Sequence, residues 1–148
     1  MGDLTLFEPV GEGPPAGGSA DWNVDWARVA EELDERGAAL TPPLLTREEC
    51  VELVAGFRQP ELFRSTVVME RHEYGRGTYR YYSDPDGLPL LRRLREGLYP
   101  GLAWVANRWA DLLGGPRFPD RLAELHAWCA EQSQLRPTPL ILRYGPGG

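Results

Sequence analysis

The sequence predicts an α+β fold, a helical support layer carrying a few strands, and three observations lead there. Apolar residues recur at helical spacing through most of the chain; two short β-branched and aromatic runs flank Gly75-Arg76-Gly77; and a last apolar run stands at Pro139 to Tyr144. With 148 residues, 42% of them hydrophobic and 26% charged, the chain has the composition of one soluble globular domain.

Residues 1–20 hold five glycines and three prolines, a composition that resists helix and strand, and read as a mobile leader before a domain at 21–148. Trp26, Val29, Ala30 and Leu33 then repeat at helical period, with Asp21 or Asn23 able to cap and Gly37 at the C′ position. Ala38 to Thr41, closed by Pro42-Pro43, suits an edge strand or an extended entry into the next element. Thr46-Arg47-Glu48-Glu49 has the form of a capping box, and Cys50, Leu53, Val54 and Phe57 make the expected buried stripe of the helix it starts.

Ser65 to Met69 and Thr78 to Tyr82 pair most economically as a hairpin. Leu90, Leu91, Leu94 and Leu98 predict another helix, which Pro100 should interrupt before the period resumes through Leu113 to Gly114-Gly115. A last helix is expected over about 119–134, with Leu122, Leu125, His126 and Cys129 facing inward. Leu140 to Tyr144 reads as a buried strand with little downstream sequence to pair with. The chain contains no internal repeat.

A net charge of -6 gives no global attraction to nucleic acid or to an acidic membrane surface, so any nucleic-acid contact has to be local. Cys50 and Cys129 stand far apart without Cys-x-x-Cys spacing, so neither a disulfide framework nor a zinc site is indicated. No secretory signal and no membrane-length apolar run is found, and a reduced cytoplasmic protein is expected.

Three stretches together carry a resemblance: Phe63 to His72 with Tyr74-Gly75-Arg76-Gly77; Leu98-Tyr99-Pro100 with Ala106-Asn107-Arg108-Trp109; and Arg136-Pro137-Thr138-Pro139 through Arg143-Tyr144-Gly145-Pro146-Gly147. Over roughly residues 22–147 the chain resembles the N-terminal half of bacterial 2-oxoglutarate- and Fe(II)-dependent oxygenases, related to the prolyl 4-hydroxylase-like group and described in part as acting on damaged nucleic acid. The resemblance implies the start of a double-stranded β-helix, or jelly roll, with the barrel incomplete and its C-terminal half as the missing partner. It also implies that Fe(II) and 2-oxoglutarate serve the complete enzyme, that Tyr144 contacts 2-oxoglutarate, and that the His-x-Asp pair and distal His of the iron triad follow the Arg-Tyr-Gly-x-Gly strand. Those positions lie beyond Gly148, so this chain alone is expected to be inactive.

The residues themselves agree about the metal. Non-haem iron is held by two histidines and a carboxylate, yet His72 is followed at i+2 by Tyr74 and His126 by Trp128. His126 reads as a helix residue satisfied near Glu124 and Cys129. Around His72, three arginines and four tyrosines fall within residues 71–82, a mix of planar bidentate donors and stacking faces suited to an anionic or ring-bearing substrate. Arg71, Tyr74, Arg76, Tyr79 and Tyr81 are therefore candidate substrate contacts, the substrate being a protein, a nucleobase or a small molecule. The competing reading of that segment is a hairpin with cross-strand tyrosine packing and solvated arginines. For Tyr144 it is a core tyrosine, and the five tryptophans are assigned to helix cores. At the level of the whole chain, the alternative to the oxygenase is a small helical binding module using the Arg/Tyr-rich hairpin to bind a partner or nucleic acid.

Overall fold

The computed structural model describes residue 13, residues 22–73 and residues 75–146, so the leader predicted at 1–20 lies almost wholly outside the described residues. The elements are α1 (Trp26–Arg36), α2 (Arg47–Gly56), β1 (Phe63–Val68), β2 (Thr78–Tyr82), α3 (Pro89–Leu113), α4 (Leu122–Glu131) and β3 (Leu140–Arg143), with 3-10 turns at Pro60–Leu62 and Met69–His72. The α+β class holds, with a three-stranded antiparallel sheet in the order β1-β2-β3. The chain divides into two compact units, one made of residues 1–42 and 95–128, the other of 43–94 and 129–148.

In the first unit, α1 is capped by Asp25, whose carboxylate accepts from the Arg28 amide at 3.0 Å. This corrects the expected cap at Asp21 or Asn23. Trp22, Val24 and Trp26 are buried at alternate positions, so the lead-in is extended and the helix starts only when Asp25 ends that alternation. Gly37 closes α1 in the left-handed conformation at φ 70°, as expected. Ala38 to Thr41 forms no strand, which leaves its reading as an entry into the next element. Its backbone is held by side chains of α1 instead, the Leu40 carbonyl accepting from Arg28 at 2.8 Å and the Leu40 amide donating to Glu32 at 3.3 Å.

Pro100 does not divide α3, which runs unbroken for 25 residues. A proline removes one intrahelical donor, and burial of Tyr99, Ala103, Asn107 and Ala110 along one stripe outweighs that loss. Trp26 lies against Gly101, where an added Cβ would sit 1.8 Å from the indole. Buried Asn107 bonds both backbone groups of Phe118, donating to its carbonyl at 2.9 Å and accepting from its amide at 2.6 Å, while the Tyr99 hydroxyl donates to the Pro119 carbonyl at 2.7 Å. The tryptophan assignment needs two corrections: Trp22 lies ahead of α1 and not on a helix, and Trp109 is exposed, its indole N–H donating to Asp34 at 2.8 Å.

In the second unit the capping box forms as predicted, with the Thr46 hydroxyl accepting from the Glu49 amide and the Glu49 carboxylate from the Thr46 amide. The second Glu49 oxygen pairs with Arg93. The expected buried stripe of α2 shrinks to Phe57, since Cys50 and Val54 are exposed and Leu53 is half-buried. Phe57 packs near Phe63 with ring centroids 6.2 Å apart, and Phe63 against Tyr82 at 4.8 Å.

The hairpin is confirmed, with Thr66 opposite Arg80 and Val67 opposite Tyr79. Its connection is longer than a tight turn and contains the 3-10 turn at Met69–His72. The final strand finds the partner that the sequence reading denied it. β3 pairs antiparallel with β2, Arg143 opposite Thr78 and Leu140 opposite Tyr81, and the Tyr82 amide donates to the Pro139 carbonyl at 3.1 Å.

Candidate functional site

Strand alternation sorts the side chains of this sheet into two faces. The register puts Phe63, Thr66, Arg80, Tyr82, Ile141 and Arg143 on one face. There Arg80 sets its guanidinium 4.7 Å from the Phe57 ring centre and 5.3 Å from that of Phe63, and donates to the Phe57 carbonyl at 2.7 Å. Arg80 is thereby a packing residue. Arg143 shares this face, 5.8 Å from the Phe57 ring.

Val67, Tyr79, Tyr81, Leu140 and Leu142 fall on the other face. The Tyr79 and Tyr81 rings meet edge to face at 5.8 Å. Arg64 lays its guanidinium 4.6 Å from the Tyr81 ring centre while donating twice to the Pro137 carbonyl, at 2.8 and 3.1 Å. Leu142 is 48% exposed and Tyr144 55%, so Tyr144 is not the core tyrosine of the competing reading. Its ring instead approaches Gly77, where a Cβ would meet Tyr144 Cδ1, the Arg143 carbonyl and Met69 Sδ at 3.0 to 3.1 Å. Gly77 is the residue type that lets the strand ends come this close.

At that end of the sheet a cleft of about 290 Å³ is lined by Glu70, Arg76, Gly77, Thr78, Arg143, Gly145 and Pro146. Of the predicted substrate contacts only Arg76 lines it. Arg71 is exposed on the 3-10 turn, Tyr79 and Tyr81 sit half-buried on the sheet face, and Tyr74 lies outside the described residues. Sequence reasoning missed Glu70, Arg143 and Arg64. Arg143 was in reach, because it precedes Tyr144 in the motif and alternation sends the two neighbours to opposite faces.

His126 is satisfied by Arg95, whose Nη2 donates to its Nε2 at 2.7 Å, and not by Glu124 or Cys129. Among the described residues no three His, Cys, Asp or Glu side chains come together as a metal site. The residues present do not fit a two-histidine, one-carboxylate iron site.

Residues 77–148, which take in β2, α3, α4, β3 and most of the cleft, match a family described as oxygenases catalysing oxidative methylation of damaged DNA. The match supports an oxygenase-family relationship. Over 57 residues the chain is 39% identical to two Mycobacterium tuberculosis proteins, Uncharacterized protein Rv2227 of strain H37Rv and Uncharacterized protein MT2286 of strain CDC 1551, in each case over 38% of this chain and 24% of the relative. The chain thus spans about a quarter of the length of the curated relatives it matches. No solved structure matches it. Among the described residues no helix is long and apolar enough to cross a membrane.

Proposed function

We propose that this chain is the N-terminal part of a 2-oxoglutarate- and Fe(II)-dependent oxygenase that acts on damaged nucleic acid, and that it supplies the substrate-facing surface of that enzyme. The observation that carries the reading is the family match over 77–148, because it falls on the same segment that builds β2, β3 and most of the cleft. The surface is suited to the role. Tyr79 and Tyr81 present aromatic faces on a sheet, the arrangement on which unpaired bases stack, and Arg64 stands over the Tyr81 ring as a cation.

In this reading the iron ligands and the remainder of the jelly roll belong to a C-terminal barrel half, whose strands would add to the outer edge of β3, and the 2-oxoglutarate contact is assigned to Tyr144. No oxidative step is assigned to the side chains of this chain.

Binding of a fluorescent single-stranded oligonucleotide carrying one methylated base tests the surface. Tyr79→Ala and Tyr81→Ala are each expected to weaken binding by about tenfold, the loss that follows from one stacked base. Unchanged affinity in well-folded variants would remove the nucleic-acid reading. In a parallel assay the chain, given Fe(II), oxygen and 2-oxoglutarate, is expected to form no succinate above a metal-only control. Succinate formed by the chain itself would overturn the division of labour.

A further inference from the structure

Two arginines and one glutamate share the cleft at the end of the β2–β3 ladder, and among the described residues no ion pair joins any of the three to a carboxylate or a cation. Elsewhere in the chain Arg28, Arg93, Arg108 and Arg117 each have a carboxylate partner. Arg76, just ahead of β2, and Arg143, at the end of β3, both line it, together with Gly77 and Gly145, which bring no side chain of their own. Guanidinium groups without a carboxylate partner recognise planar or tetrahedral oxyanions through forked hydrogen bonds.

The geometry points to a phosphate-binding site in this cleft, with Arg76 and Arg143 as the gripping cations and Glu70 as a carboxylate that restrains affinity by repulsion. One observation separates the site from the dicarboxylate co-substrate, and a second bounds the size of its ligand. Tyr144, the residue expected to meet 2-oxoglutarate, is not among the lining residues. The volume of about 290 Å³ is at the lower bound for small-molecule pockets, which suits a phosphate with its ester carbons and is too little to enclose a nucleotide. A net charge of -6 works against a polyanion at long range, and a two-arginine cleft is the kind of local site such a chain needs. That the phosphate belongs to a nucleic-acid strand rests on the proposed function; the cleft itself does not.

The test is a titration of the intact chain with inorganic phosphate, followed by amide chemical shifts, and with a short oligothymidylate followed by anisotropy across a salt series. Phosphate should shift the amides of Gly77, Thr78 and Gly145 saturably, and 2-oxoglutarate at the same concentration should not displace it. For the oligothymidylate, Arg76→Ala and Arg143→Ala should each lower the slope of log affinity against log salt by about 0.7, the value for one phosphate contact on a single strand. Glu70→Gln should tighten binding severalfold. Arg76 is exposed, so its variant keeps the test sound even where Arg143→Ala disturbs Phe57. Salt slopes unchanged in both arginine variants, affinity unaltered by Glu70→Gln, or displacement of phosphate by 2-oxoglutarate would overturn the site, while leaving the tyrosine-based reading standing. Phosphate bound at these amides by a chain that ignores oligothymidylate would keep the site and remove the nucleic-acid reading.

Discussion

Glu32 shows how one side chain substitutes for a missing strand. Its carboxyl is held below its ordinary value, first by the hydrogen bond from the Leu40 amide and then by Arg28, with which it pairs at 2.7 Å. A carboxyl depressed in the folded state contributes stability that is present above the unfolded value and is lost as pH falls through the folded one. Glu32→Gln is therefore expected to unfold at lower denaturant than the parent at neutral pH, the gap closing as the pH drops below the ordinary glutamate range. A gap that is constant with pH would show the ion pair to be irrelevant. Tyr82 runs the opposite way. Burial pushes its hydroxyl up, so stability falls as pH rises past the ordinary tyrosine value, where the unfolded chain ionises first.

At the level of elements, α3 owes its course past Pro100 to what it packs against. Gly101→Ala would drive a Cβ into the Trp26 ring, and overpacking of this kind costs about 1–3 kcal/mol, read as a lower thermal midpoint with the helix content kept. β3 calls for a similar revision of expectation. A strand without a partner could be trimmed at no cost, but β3 carries the β2 ladder, Pro139 accepts from Tyr82, and Pro137 accepts twice from Arg64. Deleting residues 138–148 should accordingly expose Thr78–Tyr82 to fast amide exchange and lower stability. Retained protection there would mean that the hairpin stands alone.

Elements with a local signature were legible in the sequence: the Thr46–Glu49 capping box, the Gly37 terminus and the hairpin all follow from residues within a few positions of one another. What escaped depends on distance along the chain. Nothing near Leu40 announces that Arg28 and Glu32 will bind its backbone, and nothing near Leu140 announces Tyr81. The candidate site divides in the same way, since the Arg/Tyr composition of 71–82 was visible while Glu70, Arg76 and Arg143 became one cleft only through the β2–β3 register.

For the whole molecule, the pairing of β2 sets an order of events during folding. Thr78 faces Val68 ten residues before it and Arg143 sixty-five residues after it, with all of α3 and α4 between. Closing the longer loop costs about 1.5–2 kcal/mol more chain entropy than closing the shorter one, by the logarithmic dependence of closure on length. The hairpin should form early and the third strand arrive late, after α3 and α4 have shortened the effective span. Pulse-labelled hydrogen exchange during refolding should find β1–β2 amides protected before those of Leu140–Arg143, and simultaneous protection would show a single concerted closure. The cleft, whose walls come from both sides of that late junction, would then be among the last features of the native chain to appear, so a nascent or partly refolded molecule would carry its tyrosines before it could grip an oxyanion.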